Sequence, residues 1–370
     1  MTSNDSLLAV RDLRVWFSLR RTLVEFFARR PGKYVRAVDG VTFDVGEGET
    51  FCVVGESGCG KSTLGRAVLG LVPITSGSVL YKPTEKILNE LSRSGAPIVN
   101  ERVNMAVIRS EAARILRREL QLIHQDPFAS LNPRFTIGDI VEEPLRAHFP
   151  DMDPAERRER ALRALESVKL SPAEEIARRY PHQLSGGQRQ RVAIARALVI
   201  EPKLVVADEP VSMLDVSIRA EILELMLSLK NRLGLTYIFI THDLAVARYV
   251  CDKIAVMYLG KIVELGKPGE IIEAPLHPYA RALVAAVPEP DPSNRLRQRP
   301  LPVKGEVPSP INVPRGCRFH PRCVALDENR ERLRGLCEME EPPLIEVEPG
   351  RFVACWLYSR PASSSVSQAS

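Results

Sequence analysis

A glycine-rich loop that ends in a lysine and a serine is the first stretch of this sequence that could do chemistry. It lies between an apolar run at residues 51–54 and a helix-forming stretch, and it reads Gly55-Glu56-Ser57-Gly58-Cys59-Gly60-Lys61-Ser62-Thr63. Such loops bind phosphate, because backbone N–H groups point inward and the helix that follows begins with a partial positive charge. We expect Lys61 to reach the β- and γ-phosphates of a nucleoside triphosphate and the Ser62 hydroxyl to ligate Mg²⁺.

Two adjacent carboxylates, Asp208 and Glu209, follow an apolar run at residues 204–207. Carboxylates are costly at the end of a buried strand unless they serve an ion or a proton transfer. We expect Asp208 to hold Mg²⁺, directly or through water, and Glu209 to orient or deprotonate an attacking water molecule. His242 follows the strand-like run 237–240, where it would contact the γ-phosphate and hold that water in line.

A second candidate anion site precedes a predicted helix at residues 189–199, and it reads Leu184-Ser185-Gly186-Gly187-Gln188. A helix that starts with serine and two glycines presents free N–H groups to an anion. One nucleotide does not need two separate phosphate sites in one chain. We therefore predict that the Ser185 turn of each chain closes on the nucleotide bound by its partner, so that ATP joins a dimer and hydrolysis releases it.

A parallel sheet would bring these residues together. Helical patterns alternate with apolar, strand-like runs, which predicts an α/β protein; the runs are residues 51–54, 120–124, 204–207 and 237–240. Residues 7–17 and 38–45 alternate like a pair of neighbouring strands, and residues 136–200 are mostly helical. Residues 83–118 form an insertion without assignable chemistry, with a helix from Val107 onward.

Composition bounds the domain organisation and the class of protein. The chain has 370 residues, of which 45% are hydrophobic, enough for a sizeable core and two domains. A net charge of +5, from 51 basic and 46 acidic residues, gives no strong nucleic-acid signal. No apolar run could span a bilayer and the N-terminus does not read as a signal peptide, so we expect a cytoplasmic protein. The basic stretch 20–36 is interpreted as a solvent-exposed connection between the two N-terminal strands, with contact to a membrane surface as the alternative.

Prolines crowd residues 288–314 and indicate a linker. We therefore predict an ATPase domain over residues 1–285, with a helical subdomain at about 130–200. A proline-rich linker and a cysteine-containing extension follow over residues 286–358, and we expect the serine-rich tail, 359–370, to be disordered.

Four of the seven cysteines fall within the last 54 residues: Cys317, Cys323, Cys337 and Cys355. Disulfides are rare in the cytosol, so the cluster favours a metal. Four thiolates could hold a 4Fe–4S cluster or a zinc ion, and buried reduced thiols are a further alternative. The spacing lacks the paired Cys-x-x-Cys of common zinc ribbons.

Taken together and in this order, the motifs resemble those of the ATP-binding cassette (ABC) family, and the chain resembles the ATP-binding subunit of an ABC importer. The matching motifs are the Walker A loop 55–62, the Q-loop residue Gln125, the signature 184–188, the Walker B strand 204–209, the D-loop residue Asp215 and the switch residue His242. The resemblance implies a P-loop NTPase fold of the RecA-like type, with an antiparallel β edge, a helical subdomain and a small C-terminal extension with a metal site.

The resemblance also implies roles for individual residues. ATP and Mg²⁺ are the implied cofactors; catalysis is assigned to Glu209, His242 and Gln125, and Mg²⁺ to Ser62, Gln125 and Asp208. The implied contacts to ATP across the dimer are Ser185, Gly186, Gly187, Gln188 and Asp215. Either Phe17 or Tyr34 would stack on the adenine.

Further segments resemble the dipeptide/oligopeptide importers: residues 125–133, 179–183 and 277–279 and the cysteine segment. This implies an ATPase that energises peptide import from the inner face of the cell membrane, without nucleic acid. The implied partners are a second ABC ATPase subunit (a paralogue by family habit), two membrane permease subunits and, indirectly, an extracytoplasmic substrate-binding protein. The resemblance favours a 4Fe–4S cluster over zinc in the extension.

Three features depart from the subfamily pattern and leave the substrate open. His124 stands where an aromatic residue is common, Met213 replaces a small residue, and the insertion 83–118 is longer than usual. Nickel or oligosaccharides are therefore alternative substrates. A soluble cassette ATPase of DNA repair or translation, and an iron–sulfur redox protein with a vestigial nucleotide site, are alternatives from other classes.

Overall fold

Two β-sheets frame the described part of the chain, which is residues 6–19, 32–108, 110–287 and 302–359 of a computed structural model. The strands are β1 (Ser6–Ser18), β2 (Tyr34–Gly46), β3 (Thr50–Val54), β4 (Ser76–Tyr81), β5 (Ile98–Val99), β6 (Arg102–Asn104), β7 (Leu120–Ile123), β8 (Leu204–Asp208), β9 (Thr236–Thr241), β10 (Lys253–Tyr258), β11 (Lys261–Gly266), β12 (Ile345–Glu348) and β13 (Arg351–Val353). The first sheet is antiparallel and has the order β2-β1-β4-β6-β5. The second has the order β12-β13-β11-β10-β3-β9-β8-β7 and is parallel from β10 to β7.

Helices cover both faces of the second sheet. Several of them belong to the chain segment that connects β7 to β8. They are α1 (Lys61–Val68), α2 (Glu85–Arg93), α3 (Ser110–Leu116), α4 (Pro127–Ser130), α5 (Ile137–His148), α6 (Pro154–Ser167), α7 (Ala173–Arg178), α8 (Gly186–Leu198), α9 (Val216–Leu233), α10 (Leu244–Val250), α11 (Pro268–Glu273), α12 (Pro278–Ala285), α13 (Val324–Glu328) and α14 (Arg330–Met339). Among the described residues, no helix is both long and apolar enough to cross a bilayer.

The parallel strands are buried apolar runs. Every residue of β3, β8 and β9 is buried, which is typical of a sheet covered by helices on both faces. The predicted strands at 51–54, 204–207 and 237–240 are confirmed, and the run at 120–124 forms β7. Because parallel strands share one carboxyl edge, the residues that follow β3, β8 and β9 lie side by side.

The predicted strand pair at the N-terminus is also confirmed, since β1 and β2 pair antiparallel. The insertion is more ordered than its pattern indicates. It forms α2, β5, β6 and α3, and β6 pairs with β4, so that the insertion extends the first sheet. The helix expected from Val107 begins at Ser110.

Helices α5 to α8 occupy most of the stretch predicted to be helical, residues 136–200. Capping side chains fix where two of them begin: the Thr136 hydroxyl accepts a hydrogen bond from Asp139 N, and the Asp153 carboxylate accepts from Ala155 N and Glu156 N. Leu145, Leu165 and Val192 are fully buried between these helices. These helices therefore pack on one another through their apolar faces, as the periodicity predicts.

The C-terminal extension joins the main sheet. Strand β13 pairs antiparallel with β11, and β12 pairs with β13. A buried ion pair, 3.3 Å between Arg351 Nη2 and Glu264 Oε1, holds this edge together. Its Glu264 carboxylate also accepts hydrogen bonds from Leu276 N and His277 N. Residues 20–31 of the basic stretch 20–36, the first part of the linker (288–301) and residues 360–370 of the tail lie outside the described residues. The end of the basic stretch, from Tyr34, belongs to β2.

Candidate functional site

The phosphate loop runs from β3 into α1. Gly55 and Gly60 have φ angles of 154° and 109°, and a Cβ on Gly60 would lie 2.0 Å from Ala37 O. Only glycine fits there, so the tight turn of the loop depends on its sequence. The buried Lys61 ammonium donates hydrogen bonds to Gly55 O at 2.8 Å and to Glu56 O at 3.0 Å. The lysine side chain is thereby folded back over the loop. A bound phosphate would replace the two carbonyl groups as the acceptor of its hydrogen bonds.

The oxygen atoms suited to a magnesium ion lie beside this loop. The Ser62 hydroxyl donates to Asp208 Oδ1 at 2.9 Å, which joins the first turn of α1 to the end of β8. Burial raises the pKa of Asp208, and the hydrogen bond from Ser62 opposes that shift. A hydroxyl and a carboxylate side by side are the hard oxygen donors that Mg²⁺ prefers, so these residues fit the predicted ion.

Three predicted catalytic side chains meet at one carboxylate oxygen. Gln125 Nε2 donates to Glu209 Oε2 at 3.1 Å, and His242 Nδ1 lies 3.1 Å from the same oxygen. Glu209 has a φ angle of 47°, a backbone conformation that a non-glycine residue adopts rarely and at an energetic cost. Its backbone N–H donates to Ile240 O at 2.9 Å, which fixes the turn against β9. The fold therefore aims Glu209 at its neighbours from two other strand ends.

These groups open on one cavity of about 690 Å³. Predicted site residues along its walls are Phe17, Gly55, Glu56, Ser57, Gly58, Gly60, Lys61, Ser62, Thr63, Gln125, Glu209 and His242. Cys59 is not among them. Its buried thiol lies 4.0 Å from Lys61 Nζ, and burial raises its pKa.

Apolar residues also line this cavity. Phe17 lines it together with Val35, Ala37, Leu283 and Pro310. Tyr34 does not; it is 45% exposed and packs against Trp16, with ring centroids 6.2 Å apart. Sequence patterns had no signal for Leu283 or Pro310, because both come from the chain beyond residue 280.

The second candidate anion site lies at the start of α8, outside the cavity of its own chain. The Ser185 hydroxyl accepts from Gln188 N, and Gln188 Oε1 accepts from Ser185 N at 3.0 Å. Ser185 is exposed, as is Asp215 at the start of α9. Next to Asp215, Met213 and Val216 expose 58% and 81% of their surface. The structure thus presents this site outward, with apolar side chains around it.

A groove of about 490 Å³ lies between β7 and the helices α5 and α8. His124, Ser130 and His148 line it, and burial lowers the pKa of both histidines. Within the described residues, Ser130 Oγ and His148 Nδ1 are buried without a hydrogen-bond partner. Such orphaned polar atoms are costly unless another molecule satisfies them.

The cysteines of the extension gather around one small cavity. Cys317, Cys323, Cys337 and Cys355 all line it. Burial raises the pKa of all four thiols, that of Cys337 to about 11 and that of Cys355 to about 12. Over the part of the chain that the structure describes, however, no three histidine, cysteine or acidic residues are arranged to hold a metal ion. The predicted metal site of the extension is therefore not confirmed.

Two other cysteines, which lie far apart in the sequence, are bonded in the structure. Cys52 in β3 forms a disulfide with Cys251 after α10, with Cα atoms 5.8 Å apart. The sequence does not predict this bond, because it favours a cytoplasmic protein, in which disulfides are rare.

Comparison with known proteins agrees with this geometry. A model of the ABC transporter family matches residues 38–212, and a model of the oligopeptide/dipeptide transporter C-terminal region matches residues 263–328. The oligopeptide transport ATP-binding protein OppF of Escherichia coli is 47% identical over 86% of this chain and 88% of its own length. The oligopeptide transport ATP-binding protein AppF of Bacillus subtilis is 43% identical over 96% of this chain and 99% of its own.

A solved structure shares the cassette fold. The ATP-binding cassette MJ0796, described as a dimer in a post-hydrolysis state bound to ADP and Pi, is 28% identical with a TM-score of 0.56. The match covers 70% of this chain and 98% of that one.

Proposed function

The chain belongs to the ABC transporter family, among the ATP-binding proteins of oligopeptide and dipeptide transport, and on that premise we propose that it hydrolyses ATP to energise peptide import. The ATPase assignment rests on one observation: Gln125 and His242 both contact Glu209 in the cavity of the phosphate loop. Ser62 and Asp208 are hydrogen-bonded to each other beside that loop. Relatives named for oligopeptides supply the substrate class, so nickel, oligosaccharides and a soluble cassette role are not favoured.

In this proposal, Lys61 releases the carbonyl groups of Gly55 and Glu56 and binds the β- and γ-phosphates. Ser62 and Asp208, with Gln125, hold Mg²⁺, which neutralises charge on the phosphate oxygens when it is bound. Glu209 accepts a proton from the attacking water, and Gln125 and His242 fix its carboxylate. Phe17 stacks on the adenine, in preference to Tyr34, because Phe17 lines the cavity and Tyr34 does not.

We further propose that hydrolysis requires a second cassette. Ser185, Gly186, Gly187, Gln188 and Asp215 would contact the nucleotide held by a partner subunit, since the structure points this site outward. The exposed Met213 and Val216 would be buried by that contact. The dimeric form of the cassette MJ0796 supports this arrangement, and family habit favours a paralogue as the partner.

The groove between β7, α5 and α8 is proposed as the surface by which this chain docks on one of the two membrane permease subunits, at the inner face of the membrane. Phe128 and Phe135, which expose 56% and 51% of their surface, lie on the same helical region. A permease helix with polar ends would satisfy the orphaned Ser130 and His148 atoms. An extracytoplasmic binding protein would deliver the peptide on the other side.

The four cysteines of the extension are proposed to hold a 4Fe–4S cluster, with zinc as the alternative. Support comes from their convergence on one cavity. Anaerobic purification followed by iron and zinc analysis and visible absorption tests this. A metal-free, colourless protein with four titratable thiols would contradict it.

The transport function is tested with the complete transporter, purified with its permeases and binding protein and reconstituted in vesicles. We expect uptake of labelled oligopeptides that requires ATP on the side of the membrane where the ATP-binding subunits lie. Phosphate release should be stimulated by the binding protein when it carries peptide. Uptake of nickel or oligosaccharide instead of peptide would contradict the assignment.

A further inference from the structure

An arginine of the C-terminal extension contacts the phosphate loop directly. Arg322 Nη1 donates to Glu56 Oε2 at 2.9 Å, and Arg322 Nη2 donates to Glu56 Oε1 at 3.2 Å. Two parallel bonds between a guanidinium and a carboxylate fix orientation as well as distance. This contact joins the second residue of the loop to a residue 266 positions later in the chain.

Burial shows which of the two partners is held by the protein. The Arg322 side chain is only 9% exposed, whereas that of Glu56 is 32% exposed. The guanidinium carbon lies 5.9 Å from the centre of the Tyr258 ring and 6.0 Å from that of Phe319. Packed against these rings, the arginine is the more buried member of the pair, and its two hydrogen bonds hold the more exposed carboxylate of the loop.

The same aromatic cluster also holds the backbone of Glu56. Its N–H donates to Tyr279 Oη at 2.8 Å, and the Tyr279 ring packs on Tyr258 and Phe319, at 4.6 and 5.5 Å between centroids. The carbonyl oxygen of Glu56 in turn accepts a hydrogen bond from Lys61. Glu56 is therefore tied on one side to the aromatic cluster and on the other to the lysine that is to meet the phosphates.

Arg322 belongs to the cysteine segment. It ends a 3₁₀ turn, His320–Arg322, between Cys317 and Cys323, and its backbone N–H donates to Phe319 O at 2.9 Å. Whatever orders or loosens this turn will therefore move the guanidinium that restrains the loop.

We propose that Arg322 is a positioning residue for the phosphate loop, through which the C-terminal extension sets the affinity of the site for ATP. It acts on Glu56, and through Glu56 on the backbone of the loop, and touches no substrate itself. The proposal rests on the proposed role of this loop in binding ATP.

The test compares R322Q, R322K, E56Q and the R322Q/E56Q double variant in the full chain. We expect R322Q to raise the Kd of a fluorescent ATP analogue with Mg²⁺, and the KM for ATP, about tenfold, the scale of one charge-assisted contact. The kcat should stay within about twofold, because the groups around Glu209 are unchanged. R322K should recover part of the affinity, since lysine keeps the charge but not the fork.

The double variant should bind no more weakly than the poorer single variant, because both substitutions break one contact. R334Q is the matched control: Arg334 lies in the same extension, on α14, and pairs with Glu338 at 3.2 Å on the surface. Its Kd should equal that of the wild type. E56Q removes the negative charge and one of the two acceptor oxygens, so the contact can also be weakened from its exposed side if R322Q fails to fold.

An E56Q variant with wild-type Kd and KM would overturn the proposal, as would losses that add in the double variant. A wild-type chain that binds no nucleotide would contradict the proposed function instead, so the two failures are distinguishable.

Discussion

The substitution E209Q separates nucleotide binding from chemistry in this site. Glutamine keeps the volume of the side chain and can still meet Gln125 and His242, but its amide cannot accept a proton. Both neighbours contact Oε2 at 3.1 Å, so we expect Oε1 to face the attacking water. Loss of a general base lowers turnover by ~10²–10⁴-fold, and at about 1.36 kcal/mol per tenfold this raises the barrier by about 3–5 kcal/mol.

The assay is steady-state phosphate release at saturating Mg²⁺ and ATP, run beside a binding titration with a fluorescent ATP analogue. E159Q serves as the control, because Glu159 is an exposed acid of α6 that pairs with Arg163. E209Q should bind ATP as the wild type does while its turnover collapses, and E159Q should change neither. Turnover of E209Q within about threefold of the wild type would remove Glu209 from its proposed role.

Three further predictions concern binding and stability. K61A should abolish ATP binding in the titration, because the buried ammonium is the charge that meets the phosphates; retained affinity would contradict this. F17A should weaken ATP binding about tenfold and Y34A should not, since stacking on a base is worth about 1–3 kcal/mol and only Phe17 lines the cavity; the reverse order would assign the stacking to Tyr34. Burial lowers the pKa of His277 from 6.5 to about 3, so the unfolded chain takes up a proton that the folded chain refuses. The free energy of unfolding should therefore fall as the pH drops from 7 towards 4. The decrease should be smaller in H277N, where asparagine can still cap α12. Denaturant titrations at several pH values measure this, and an equal pH dependence of the unfolding free energy in both proteins would refute it.

Local patterns predicted the parts of the site that depend on local structure. Lys61, Asp208 and His242 each follow an apolar run, and parallel pairing of those runs brings their ends to one edge. The capping serine at 185 was readable from its place before two glycines. That serine is exposed, and the contact of its turn with a nucleotide in another chain stays a prediction.

Contacts between distant segments were not predictable, because no periodicity reports them. Strand β13 has only three residues, and nothing in its sequence says that it pairs with β11. Arg322 reads as one arginine among many until the fold places it on Glu56. The choice of Phe17 over Tyr34 likewise depends on which face of the β1–β2 pair meets the cavity.

The central claim is that two cassettes share each nucleotide, with the lysine loop of one and the serine turn of the other on opposite sides. It is tested most directly by a structure of the E209Q transporter closed with Mg²⁺ and ATP. We predict that Ser185 Oγ lies within hydrogen-bonding distance of the γ-phosphate bound by the partner subunit's phosphate loop. A closed, ATP-bound assembly in which Ser185 faces away from that phosphate would contradict the account.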